Sequence, residues 1–216
     1  MDANKPAVAR TAVQLVAPSY VGDLNDVFDS PARYLAKKKP TSDRAQQELV
    51  TLALMRLAAS DIDATVNLLN STWQNTLRPD QAAWAWATVG KKAALALMPT
   101  APTYFQQADL LATKMEREPV WADEVLAWKA RAALRNETGP RWQQVMQAVN
   151  AMDPKEQADP TWVYWKARAL QALARDSSDP AALNAQSQEM LASIAGQYHF
   201  YGSRSILVAS RSACWK

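Results

Sequence analysis

At 216 residues, 49% hydrophobic and 21% charged, the chain carries enough apolar side chain to bury a substantial core, which excludes a disordered tail. Its formal net charge of +3 comes from 24 basic and 21 acidic residues dispersed along the chain, a distribution that argues against a nucleic-acid binder. One cysteine, Cys214, can close no internal disulfide and can build no metal site with the single histidine, His199.

Only five glycines are present, and the apolar residues are mainly Ala, Leu, Met and Trp, so helix is favoured almost everywhere. Residues 7–17 carry small and apolar side chains at helical spacing up to Pro18. Tyr20 to Lys39 reads as two short helices parted by Ser30-Pro31. Lys37, Lys38 and Lys39 close the second before Pro40, where cations offset the helix dipole. Asp43 with Gln46 caps the next helix, whose Leu49, Leu52, Leu54, Met55 and Leu57 form a broad apolar face. Ser60 with Asp63 starts its partner, with a buried stripe of Ile62, Val66, Leu68 and Leu69. Pro79-Asp80 opens a helix holding Trp84 and Trp86 that runs through Gly90 to Leu97, and Tyr104 to Arg117 pairs with it. Trp121 to Asn136 and Arg141 to Met152 make the next hairpin, divided by Gly139-Pro140. Asp153-Pro154 and Asp159-Pro160 place a capping acid before a proline, suited to tight turns, and Trp162 to Arg175 follows. Asp179-Pro180 opens a last helix through Ala195.

A repeat runs through these elements. Trp128-Lys129-Ala130-Arg131-Ala132-Ala133-Leu134 returns 37 residues later as Trp165-Lys166-Ala167-Arg168-Ala169-Leu170, and Phe105-Gln106-Gln107 returns at the same offset as Trp142-Gln143-Gln144. A period in the thirties built from two helices marks a solenoid whose hairpins bury their apolar faces by stacking. The expected fold is all-α: a TPR-like superhelical solenoid of roughly ten or eleven antiparallel helices in a right-handed stack, without a sheet. Within it the helical phase of Trp121, Val125, Trp128 and Ala132, and of Trp162, Trp165, Ala169 and Leu173, favours tryptophans as core packing over sugar platforms, with Trp128 and Trp165 buried between hairpins.

No glycine-rich phosphate loop and no paired-histidine motif is present, which leaves nucleotide and zinc chemistry without support. His199 beside Phe200 and Tyr201 reads as a packing residue. Glu116, Glu118, Asp123 and Glu124 could supply a glycosidase pair, but they surround Pro119 at a helix junction, where acids stabilise a helix amino end. The amino terminus has neither the basic nor the apolar region of a secretory signal, and no window approaches a membrane span.

The Trp128 to Leu134 helix, Trp142-Gln143-Gln144-Val145 with Met152, the Trp162-Val163-Tyr164-Trp165 copy and the closing Phe200-Tyr201-Gly202 resemble the superhelical U-domain of soluble lytic murein transglycosylases. The resemblance covers about residues 42–202 and is most specific from Trp121 onward. In that family the hairpins close, with a linker domain, into a ring that supports a lysozyme-like catalytic domain. The resemblance therefore implies a periplasmic enzyme that cleaves peptidoglycan between N-acetylmuramic acid and N-acetylglucosamine with formation of a 1,6-anhydro product. The family's catalytic Glu-Ser and Gly-Leu-Met-Gln sequences do not occur here, and Leu97-Met98-Pro99-Thr100-Ala101 mimics a third family segment by coincidence.

The reading that results has a helical-repeat domain over residues 1–202, clearest over 42–202, and an atypical tail over 203–216. The tail bears no carboxylate side chain, and two readings stand beside each other: a shifted frame or truncated gene, which would leave such a tail, and a genuine amphipathic helix, which would normally keep some acids. No catalytic, cofactor-binding or metal-ligating residue is assigned, and no cofactor is expected. The implied role is a non-catalytic scaffold segment that meets peptidoglycan through a catalytic domain outside this sequence, with no nucleic-acid partner and no membrane span. A free-standing helical-repeat adaptor for a protein or peptide is the alternative.

Overall fold

A computed structural model describes residues 6–115, 121, 123–137, 140–197 and 200–205. The fold is all-α, with no strand among the described residues. The chain forms two compact units, Met1–Val120 and Trp121–Lys216.

The first unit holds α1 (Pro6–Val16), α2 (Val21–Asp29), α3 (Pro31–Lys37), α4 (Arg44–Leu57), α5 (Ile62–Leu68), α6 (Pro79–Leu95) and α7 (Ala101–Ala112). Several boundaries follow from side-chain caps. Asp43 Oδ1 accepts from the Gln46 backbone N–H at 2.7 Å, as its spacing predicts. For α5 the expected Ser60 cap is corrected by one residue. Asp61 Oδ1 accepts from the Ala64 backbone N–H at 2.8 Å, while the Ser60 hydroxyl turns back to the Leu57 carbonyl. Of the expected stripe Leu69 is wholly buried, as its spacing predicts, while Ile62, Val66 and Leu68 stay half-buried and Thr65 and Trp73 are enclosed in their place. The same helix then widens into a π-turn over Leu69–Trp73, which brings the Trp73 ring inward.

α6 and α7 form the closest hairpin of this unit. α6 is alanine-rich, and a Cβ at Gly90 would lie 3.0 Å from the Phe105 ring, so the glycine lets that ring press directly on the helix backbone. Trp86, 2% exposed, stacks on Tyr104 with centroids 5.9 Å apart and donates its Nε1–H to Gln74 Oε1 at 2.9 Å. α6 ends in a Schellman motif, in which the Met98 N–H bonds to the Ala93 carbonyl and the Leu97 N–H to the Ala94 carbonyl. Leu97 occupies the left-handed position of this motif with φ 58°.

The second unit holds α8 (Asp123–Arg135), α9 (Arg141–Asn150), α10 (Pro154–Gln157), α11 (Pro160–Leu173) and α12 (Pro180–Ile194), and residues 200–205 are helical. With residues 200–205 the described α-helices number thirteen, two more than the upper sequence expectation, because Asp153-Pro154 heads the one-turn α10 and the chain is helical again after α12. Asp153, Asp159 and Asp179 all cap: their carboxylates accept from the backbone N–H groups of Lys155, Thr161 and Ala182. The 37-residue offset sets α11 in register with α8. Ala130 and Ala167 are both wholly buried at equivalent places, and Ala133 and Leu170, likewise equivalent, are both buried.

The sequence pattern places Trp128 and Trp165 inside the stack, and here the structure corrects it: both are half-buried. The most enclosed positions of these helices are taken instead by small residues, Ala130, Ala133 and Ala167, where close packing leaves no room for an indole. The indole that is enclosed is Trp162, 2% exposed, in a core with Leu126, Val145, Val149 and Met152.

Candidate functional site

The chemically richest cluster of the second unit lies where α8, α11 and residues 200–205 bring rings and cations together. The Arg131 guanidinium carbon sits over two indoles, 5.0 Å from the centroid of Trp128 in its own helix and 5.0 Å from that of Trp162 in α11. The i, i+3 spacing of Trp128 and Arg131 makes them neighbours on one face. Trp162 is held by Glu156, whose Oε1 accepts from the indole N–H at 2.9 Å.

A second group of rings joins α11 to the Phe200-Tyr201-Gly202 segment. Tyr201 lies 5.1 Å from Tyr164 and 6.2 Å from Trp165, centroid to centroid, and its hydroxyl accepts from the Trp165 Nε1–H at 3.3 Å. Trp165 thereby touches both hydrophobic clusters of the unit, the one around Val145 and the one around Leu191 and Ile194. Gly202 permits this docking. A Cβ there would stand 2.4 Å from the Gln197 carbonyl oxygen and 2.9 Å from that of Ile194. Those carbonyls flank a turn in which Gly196 adopts φ 82°. Ser205 is wholly buried in the same segment, and its hydroxyl donates to the Gly202 carbonyl at 2.7 Å.

In the first unit, polar side chains gather where α2, α3 and α4 meet. Lys38 Nζ donates to Asp23 Oδ2 at 2.7 Å and lies 5.1 Å from the centre of the Tyr34 ring. The Tyr34 hydroxyl is buried with no hydrogen-bond partner, and its pKa is pushed up by burial first and by Asp23 second. The Tyr20 hydroxyl donates to Asp43 Oδ1 at 2.8 Å, which raises the phenol's pKa. The Asp43 carboxyl is held below the usual carboxylate range, chiefly by the Gln46 backbone N–H and next by Tyr20.

Sequence-marked acids fall on structural tasks. Asp123 Oδ1 accepts from the backbone N–H of Asp153 at 2.9 Å, tying the start of α8 to the turn before α10, and Glu124 sits exposed in the same first turn. Glu116, Glu118 and His199 lie outside the described residues. Of the lysine run, Lys37 closes α3 and Lys38 forms the ion pair with Asp23. Leu97 to Ala101 is the α6–α7 turn. Among the described residues no three His, Cys, Asp or Glu side chains assemble as a metal set, and no helix is long and apolar enough to cross a membrane. The described tryptophans are buried at 73, 86 and 162 and half-buried at 84, 121, 128, 142 and 165, so none lies open as a flat platform. The Arg131 site escaped sequence reading because Trp162 reaches it only in the tertiary structure, where α9 packs against both α8 and α11; the Trp128 to Arg131 spacing was the sole local signal.

No protein-family model and no curated protein matches the sequence. Among solved structures the chain is similar to the lytic transglycosylase Slt of Pseudomonas aeruginosa, determined by X-ray as an inactive mutant. The TM-score is 0.61 at 23% sequence identity, over 94% of this chain and 31% of that one. The likeness is one of fold, and this chain spans about a third of the length of that structure.

Proposed function

We propose that the chain is a non-catalytic superhelical scaffold segment of a lytic murein transglycosylase that acts on peptidoglycan in the periplasm, with the U-domain as its counterpart. The supporting observation is that the fold likeness to a lytic transglycosylase runs along 94% of the chain yet takes up 31% of that protein. The repeated Trp-Lys-Ala-Arg helices and the Phe200-Tyr201-Gly202 docking agree with it.

Glycan cleavage of this kind needs a carboxylic acid that protonates the glycosidic oxygen and afterwards takes a proton as a base, in a setting that raises its pKa. The acids described here serve the helices: Asp43, Asp61, Asp153, Asp159 and Asp179 cap them, and Glu156 fixes Trp162. Asp43 is shifted in the direction opposite to the one an acid catalyst needs. The proposed task is mechanical, to hold and place a catalytic domain.

Joining the chain to the catalytic domain of a lytic transglycosylase tests the reading. Purified sacculi incubated with the chain alone should yield no anhydromuropeptides, and the joined protein should release them faster than the catalytic domain by itself. Release by the chain alone, abolished by Glu124→Gln, would overturn the proposal, and so would a joined protein no faster than the isolated catalytic domain.

A further inference from the structure

We propose that Arg131 anchors a carboxylate-binding site on the second unit, and that its ligand is an acidic peptide segment. Arg131 is exposed, its guanidinium lies over both Trp128 and Trp162 at 5.0 Å, and it makes no hydrogen bond or ion pair among the described residues. Trp162 is a fixed wall, 2% exposed and tied through its indole N–H to Glu156. Contact with ring faces occupies the flat sides of a guanidinium and leaves its N–H groups, which all lie in the molecular plane, directed outward at the edges. Two rings beside the guanidinium restrict a long surface side chain whose donor fork is unused, which lowers the ordering cost that binding would otherwise carry.

A fork of parallel N–H donors selects an anion with two acceptor oxygens at matching spacing, and a planar carboxylate lies in the plane of the fork. The surroundings favour a peptide that offers several such groups. From Trp128 to Arg135 the helix carries Lys129, Arg131 and Arg135 and no acid, and from Trp165 to Arg175 its repeat carries Lys166, Arg168 and Arg175 and no acid. Asp123 and Glu124, the acids of α8, stand at its amino end, and the acid beside Trp162, Glu156, is engaged by the indole N–H. Successive carboxylates of an acidic chain are complementary to this field, whereas a lone phosphate ion would engage one point of it.

The test is a titration of the full chain with a tetraglutamate peptide, followed by calorimetry and by 15N–1H spectra of the Arg131 side chain and the indole N–H groups. Saturable binding that shifts the Arg131 Nε–H and Trp162 resonances is expected. Arg131→Gln and Arg131→Lys should each weaken it by about tenfold or more, because lysine restores the charge but not the fork. Unchanged circular dichroism spectra of both variants would show that the fold is kept. Binding as tight in Arg131→Lys as in the parent would overturn the fork. Equal shifts with tetraglutamine would overturn the carboxylate, and stronger binding of inorganic phosphate would overturn the peptide. Absence of any shift at Arg131 would overturn the site.

Discussion

Leu97 offers a sharp test of the backbone reasoning, because it is a bulky residue in a position built for glycine. It occupies the left-handed site of the Schellman motif that ends α6, with φ 58°, and it is 68% exposed, so its side chain contributes little burial. A residue with a Cβ gives up about 1–2 kcal/mol in this conformation. Glycine removes that strain but loosens the unfolded chain, at a cost of about 0.4–1 kcal/mol. The net expectation for Leu97→Gly is a gain of about 0.5–1 kcal/mol, or a Tm rise of roughly 1–4 °C for a chain of this length. Urea unfolding and thermal melts followed by circular dichroism read this directly. Leu97→Ala is the control, since it keeps the Cβ and removes the exposed apolar surface. The reasoning is refuted if Leu97→Gly fails to raise the midpoint, or if the alanine variant gains as much as the glycine variant.

Three further outcomes follow from the same geometry. Trp162→Ala should cost about 3–5 kcal/mol, and Trp128→Ala clearly less, since one ring is enclosed and the other half-buried; equal losses in urea melts would contradict this. Gly202→Ala must move backbone, because the nearest atoms are the carbonyl oxygens of Gln197 and Ile194; near-ultraviolet circular dichroism should show the Tyr164, Trp165 and Tyr201 rings losing their fixed packing. For Asp43 the folded-state pKa is depressed, so its charge stabilises the fold above the unfolded carboxylate value of about 3.9 and that contribution is lost as pH falls through the lower folded value. Parent and Asp43→Asn should therefore differ most in urea midpoint above about pH 4 and converge as the pH falls on through the lower folded value.

Helix content, hairpin order and most caps were legible in the sequence, because Asp before Pro and polar residues three positions ahead of a backbone N–H act locally. Asp43, Asp159 and Asp179 each do in the structure what their spacing predicts. What escaped depends on contacts distant in sequence. The π-turn at Leu69–Trp73 breaks the 3.6-residue period just after α5 and sets the Trp73 ring inside. The burial of Trp162 rather than Trp128 or Trp165 depends on which positions the neighbouring helices enclose, and apolar periodicity alone does not separate the enclosed alanines from the half-buried rings beside them.

Gly202 explains why the sequence repeat breaks where it does. Carried forward by the same 37 residues, Tyr164 falls on Tyr201 and Trp165 falls on Gly202. The tyrosine survives at its place and packs on its own counterpart, Tyr164, with centroids 5.1 Å apart. The tryptophan cannot, since even a methyl group would collide with the turn carbonyls of Ile194 and Gln197. The loss of Trp at this position is thus required by the tight type II turn at Ala195 and Gly196, which draws the chain back over the end of α12. The helix continues past it through Ser205, whose complete burial and bond to the Gly202 carbonyl extend the packed core beyond residue 202. A break in sequence similarity here marks a steric substitution inside a helix, and the packing runs on across it.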